Sequence, residues 1–233
     1  MAEHPDMGEI RDDPLLREKA PVFSDRHDAG WKLGAFLTGI PLLDHPVVFA
    51  IPAGGVPVGI ELARKLSAPF ALAIVRKIRI PGTTESGFGA VTWDGEVLIN
   101  EPLRDALGLS EREVDRAVGE TRENVKARIV RFTGGGPFPS VKDATVILTD
   151  DGIASGFTML AAIRSLRRKD PARIIVAIPT ASRSAAQLVA GHADLVVCLN
   201  IRSGLTFAVA DAYRHWYDLG DEEVLREIGH IQP

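Results

Sequence analysis

Two adjacent carboxylates, Asp150 and Asp151, stand directly before a run of small residues, Gly152-Ile153-Ala154-Ser155-Gly156. The apolar residues Val146, Ile147 and Leu148 ahead of them read as a buried strand, and a helix is expected from near Thr158. A strand, a loop and a helix in that order place unpaired amides and a helix N-terminus at the carboxyl end of a sheet. Both favour an anion such as phosphate. Two carboxylates beside a phosphate repel it unless they meet something else, and sugar hydroxyls or a divalent cation would satisfy them. A ribose 5-phosphate fits both halves. The alternative is an ordinary strand-end turn whose acids cap a helix.

A second turn with the same placement is Ala53-Gly54-Gly55-Val56, after the apolar strand expected over residues 47–52. Paired glycines permit close approach of backbone to a ligand, and Pro57 suits the first turn of the helix that follows. Alone, this turn is explained as well by the needs of a tight strand-to-helix connection. Arg76 and Lys77 end a third apolar run, residues 70–77, where basic side chains can reach the sheet's carboxyl edge. Arg79 and Glu85 lie in the next loop, residues 79–89, which has no apolar periodicity. As solvated loop charges they need no function.

The elements that must hold these residues alternate. A helix is expected from Asp25, then the strand at 47–52, a helix through Val58, Leu62 and Leu66, and a single buried strand over 70–77. A hairpin turning at Asp94-Gly95 follows. Ser110 with Glu113 forms a capping box ahead of a long charged helix to about Arg131. Strands at 172–179 and 194–199, with a helix between them, complete the sheet, and a short last helix is expected to be capped by Asp221. Continuous apolar strands alternating with helices predict an α/β fold: a mainly parallel twisted sheet of about five strands flanked by helices, with a small hood. Residues 1–22, charged and proline-rich without periodicity, read as a flexible or loosely docked arm. Residues 23–233 read as one domain.

The chain has 233 residues and a formal net charge of -4, so no global basic field suggests a nucleic-acid partner. The single cysteine, Cys198, among apolar neighbours, excludes an intrachain disulfide framework and a cysteine-rich zinc site. The six histidines show no metal-binding spacing. The N-terminal residues lack a signal-peptide pattern, and no apolar run approaches the ~20 residues needed to span a bilayer. A cytoplasmic protein without a membrane partner is expected.

The segment over residues 146–159 resembles the phosphoribosyl-pyrophosphate (PRPP) motif of the type I phosphoribosyltransferases. Asp25-Arg26, the Gly54-Gly55 turn, the residues around Arg76-Lys77 and the Asp150-Asp151 loop together resemble a subgroup of that family whose substrate is undefined. The resemblance covers residues 23 to 228. It implies that Asp150 and Asp151 hold the ribose hydroxyls, and that Gly152, Ile153, Ala154, Ser155, Gly156 and Thr158 bind the 5′-phosphate. It further implies that the amides around Ala53, Gly54, Gly55 and Val56 take pyrophosphate, and that Arg76 and Lys77 stabilise its departure. The loop with Arg79 and Glu85 would close over the site. Mg²⁺ would be held mainly by PRPP, with Asp150 and Asp151 as candidate protein ligands. The implied reaction transfers 5-phosphoribosyl to a nitrogen nucleophile such as a nucleobase, and the family expectation is a homodimer. One departure stands out: family members commonly carry Arg or Lys where this chain has Ala53. That leaves a non-catalytic PRPP-binding regulator as the alternative, with a metal-dependent phosphoester hydrolase behind it. The aromatics Phe207, Tyr213, Trp216 and Tyr217 are either a stacking surface for a base or simply core.

Overall fold

The computed structural model describes residues 8–41, 45–82, 87–204 and 206–230. Six parallel strands form the main sheet: β1 (Glu9–Asp12), β2 (Pro46–Ala50), β3 (Phe70–Leu72), then β7 (Thr145–Thr149), β8 (Arg173–Ser182) and β9 (Leu195–Arg202). Their spatial order is β1-β9-β8-β7-β2-β3. The central strands are buried on both faces, which is why they read as unbroken apolar runs.

Strand alternation sorts the side chains between two cores. Val48, Ile147, Ile175 and Val197 face one layer, with α1 (Arg26–Leu37) and α2 (Gly55–Leu66) packed on them through Ala29, Leu33, Val58 and Leu62. Phe49, Val146, Leu148 and Val176 face the other. There α5 (Phe157–Arg167) and α6 (Arg183–Ala190) supply Leu160, Ile163 and Val189.

A second, antiparallel sheet makes the hood: β4 (Val75–Arg79), β5 (Gly87–Thr92) and β6 (Val97–Ile99). The short α3 (Glu101–Ala106) follows it, and α4 (Glu111–Thr133) lays Val114, Val118, Val125 and Phe132 against Ile78, Phe88 and Val91. The capping box of Ser110 and Glu113 starts α4 as expected. α7 (Asp221–Gly229) ties onto this helix through Asp221–Arg128 and Glu222–Arg131 ion pairs. Among the described residues no helix is long and apolar enough to cross a membrane.

Three expectations change. The run over 70–77 is two strands, not one. β3 pairs with β2, then Ala73 and Ile74 turn the chain, and β4 pairs with β5 in the other sheet. Both linking residues are buried, so apolarity alone gave no sign of the break. The segment read as an arm enters the sheet at Glu9: β1 pairs in parallel with β9, Glu9 opposite Leu195 and Asp12 opposite Cys198. It raises the strand count to six and leaves the hood to β4–β6, α3 and α4. Finally, Gly220 rather than Asp221 caps α7, with Glu223 accepting from the Gly220 amide at 2.9 Å.

Candidate active site

β2 and β7 are neighbours, but the chain leaves their carboxyl ends toward different partners: β2 leads to β3 on one side and β7 to β8 on the other. That reversal opens a crevice at the sheet's carboxyl edge, where open α/β sheets bind ligands. The loops after Ala50 and Thr149, paired in register, meet there.

The acid pair lies at the floor. Asp150 Oδ1 accepts the amide of Asp151 at 2.8 Å. Asp151 Oδ2 accepts Arg26 Nε at 2.9 Å, and the Tyr213 hydroxyl donates to the Asp151 carbonyl. Burial and the neighbouring Asp151 push the Asp150 carboxyl well above its usual range. Burial raises Asp151 too, but the Arg26 guanidinium opposes it. Asp150 is therefore the member with the stronger hold on a proton, while Arg26 favours the charged form of Asp151.

Arg26 had no assigned role in the sequence reading. It is 6 % exposed, donates Nη1 to the Tyr217 carbonyl at 2.9 Å, and lies 3.8 Å from the Trp216 ring centroid. Its signal was local: an arginine one residue after the N-cap Asp25, on the face shared by Ala29, Gly30 and Leu33. A charge on the buried stripe of a helix demands a partner.

In the loop after Asp151, Ile153 serves structure. Its amide donates to Thr180 O, its carbonyl accepts from Ser182 N, both at 3.0 Å, and its side chain is buried. That amide is spent, so Ile153 is removed from the phosphate donors. The amides of Ala154, Ser155, Gly156, Phe157 and Thr158 find no acceptor among the described residues. Gly156 makes the bend with φ of 79°, and no side chain caps α5. Phe157 turns into the core, which accommodates its bulk. Ser182, assigned nothing from sequence, donates its hydroxyl to Ala154 O at 2.7 Å and pins the loop.

The glycine turn is pressed against the acids. A Cβ on Gly54 would stand 1.9 Å from Asp151 Oδ2, and one on Gly55 2.8 Å from Asp150 Cα. Only glycine fits at Gly54. Two of the amides expected to take pyrophosphate are already bonded, Gly55 N to Ile51 O and Val56 N to Ala53 O. The Ala53 and Gly54 amides have no acceptor among the described residues, and both residues line the cleft.

Arg76, Lys77 and Arg79 reach the same cleft, about 520 Å³, with Arg26, Asp151, Trp216 and Asp218. Arg128 of α4 joins them, a residue that sequence did not single out. Its Nη2 pairs with Asp221, while its buried Nη1 has no hydrogen-bond partner among the described residues. Burial and the nearby Arg128 and Arg79 lower the Arg76 guanidinium to about 10. Two desolvated guanidiniums side by side are costly without an anion between them. Glu85 lies outside the described residues. Of the aromatics, Tyr213 is core, and Trp216 faces the cleft. A separate cavity of about 330 Å³, lined by Phe70, Trp93, Phe132 and Phe138, carries no charged side chain and lies away from this chemistry. Among the described residues no three His, Cys, Asp or Glu groups gather as a metal cage.

The "Phosphoribosyl transferase domain" family profile matches residues 42–212. The Mycobacterium tuberculosis protein named "Putative phosphoribosyl transferase Rv0571c" is 33% identical over 207 residues, 88% of this chain and 46% of its own length. The chain thus spans about half the length of the curated relatives it matches. Among solved structures, TT1426 from Thermus thermophilus aligns with a TM-score of 0.72 at 33% identity, over 89% of this chain and 97% of that one.

Proposed function

Because this chain belongs to the phosphoribosyl transferase domain family, we propose that it transfers the 5-phosphoribosyl group of PRPP to a nitrogen nucleophile and releases pyrophosphate. The observation that carries this reading is that three features sit side by side at the sheet's carboxyl edge, where the loops after β2 and β7 meet. These are the unspent amides of residues 154–158, the Asp150–Asp151 pair, and the unspent Ala53 and Gly54 amides under a wall of cations. A 5′-phosphate, a ribose diol and a diphosphate match them in turn.

In this mechanism the α5 N-terminus anchors the 5′-phosphate and the carboxylates accept from the ribose hydroxyls. The C1–oxygen bond breaks with its electron pair leaving on pyrophosphate, the acceptor nitrogen bonds to C1, and that nitrogen gives up its proton. Arg76 and Arg128 stabilise the negative charge that develops on the leaving group, and partial burial strengthens that interaction. Trp216 offers a flat face to an acceptor base. Mg²⁺ suits this donor set, because one or two carboxylates plus substrate phosphate oxygens are its usual ligands, and bound there it would neutralise the diphosphate.

The test is pyrophosphate release with PRPP, Mg²⁺ and a panel of purine and pyrimidine bases. Base-dependent release that disappears in the Asp150→Asn/Asp151→Asn protein supports the transferase. PRPP binding without release for any base would favour the second reading, a PRPP-binding regulator. The absence of a side-chain cation at Ala53 favours that reading.

A further inference from the structure

The glycine turn presents amides to the cleft but no side-chain donor, since Ala53 precedes the glycines. Yet a guanidinium is close by. Asp151 Oδ2 lies 1.9 Å from the Cβ position of Gly54 and 2.9 Å from Arg26 Nε. Arg26 is therefore within two hydrogen-bond lengths of the turn, although it comes from α1 on another part of the chain.

Its donors are only partly used. Nε serves Asp151 and Nη1 serves the Tyr217 carbonyl, while Nη2 has no acceptor among the described residues. Arg26 lines the cleft beside Ala53 and Gly54. The group is also held in place before any ligand arrives: Trp216 covers one face of the guanidinium and the two acceptors fix its plane. A preset planar fork loses little freedom on taking a further oxygen.

We propose that Arg26 is a diphosphate ligand of this site, taking a pyrophosphate oxygen on Nη2 while Nε holds Asp151. The proposal rests on the phosphoribosyltransferase reading. One side chain from α1 then does two things: it supplies the cation that the Ala53 turn lacks, and it holds the ribose-binding carboxylate in an ion pair. Leaving-group stabilisation and ribose grip are coupled through a single guanidinium. A lysine at this position would keep the charge but lose the fork that allows both contacts.

Calorimetric titration of magnesium pyrophosphate and, separately, of ribose 5-phosphate tests this in the intact chain, Arg26→Gln and Arg26→Lys, with thermal unfolding to confirm that each variant is folded. In Arg26→Gln, pyrophosphate affinity should fall by about tenfold to a hundredfold, the worth of one charge-assisted hydrogen bond. Ribose 5-phosphate affinity should fall by clearly less than this, since Arg26 reaches that ligand only through Asp151 while its phosphate is held at α5. Arg26→Lys should lie between, and if Arg26→Gln fails to fold it carries the comparison alone. Parallel losses for both ligands would overturn the proposal, reducing Arg26 to a positioning residue for Asp151. Unchanged pyrophosphate affinity would also overturn it. An intact chain that binds ribose 5-phosphate but not pyrophosphate refutes the proposal alone, whereas one that binds neither refutes the phosphoribosyltransferase reading with it.

Discussion

Asp150 carries opposed demands. Its carboxyl is buried beside a second acid, so the native state holds a proton that the unfolded chain releases. A native pKa above the unfolded value means that N binds more protons than U across the interval between them. Stability then falls as pH rises through that interval, and the penalty is complete above it. Asn at this position needs no proton, and its oxygen can still accept the Asp151 amide. Asp150→Asn should therefore raise the thermal midpoint at neutral pH, with an advantage that shrinks as pH falls toward the ordinary carboxylate range. The same variant should lose ribose 5-phosphate affinity, a trade of function for stability. A midpoint difference independent of pH would refute the assignment. Gly54 makes a second residue-scale case. Gly54→Ala forces the Asp151 carboxylate away from its place, so ribose 5-phosphate affinity measured by calorimetry should drop by at least about tenfold. Wild-type affinity in that variant would show that the carboxylate's position is immaterial.

At the scale of elements, the hood must be fixed to the core if Arg76 and Arg128 are to face the acid pair. One fastening is the buried Ser165 of α5, whose hydroxyl lies 3.0 Å from Thr92 Oγ1 and 2.8 Å from Asp94 Oδ1 on the hairpin. Arg168 adds an ion pair to the same Asp94. Ser165→Ala removes one hydroxyl proton shared between Thr92 and Asp94, while Asp94 keeps the Thr92 hydroxyl at 2.6 Å, a loss of roughly 0.5–1.5 kcal/mol. Urea unfolding should show a lower midpoint with an unchanged slope. An unaltered midpoint would mean that the hood is held by Val91, Phe88 and their apolar neighbours alone. α7 is a second fastening, since Asp221 holds the guanidinium that sits beside Arg76.

For the whole molecule, β1 decides how the sheet ends. Its four residues cover β9, which carries Leu195, Val196, Val197 and Cys198, all fully buried. Deleting residues 1–12 would bare that edge. The thermal midpoint should fall by at least about 2–4 °C, the shift that 1 kcal/mol brings in a domain of this size. An uncovered apolar edge also pairs with other chains, so light scattering on heating should begin earlier than in the intact protein. A truncated chain with an unchanged midpoint and no added scattering would show that β1 contributes nothing to the sheet's integrity.

What the sequence determined by itself was local. The parallel sheet, the acid pair at the end of β7, the bend at Gly156, the glycine turn and the capping box at Ser110 all follow from periodicity, turn chemistry and capping. Those forces act between residues a few positions apart, so they can be read along the chain. Tertiary structure alone decided what depends on distant segments meeting. Arg26 and Asp151 are 125 positions apart, and no local pattern joins them. The division of the 70–77 run between two sheets depended on which strand lay alongside, because the residues across the break, Leu72 to Val75, are all apolar. The short β1 became a strand only because β9 offered an open edge. Ile153 likewise looked like part of an anion cradle until β8 came near enough to take its amide. Burial then turned an ordinary pair of acids into one that binds a proton more tightly, with an arginine beside it that lines the cleft.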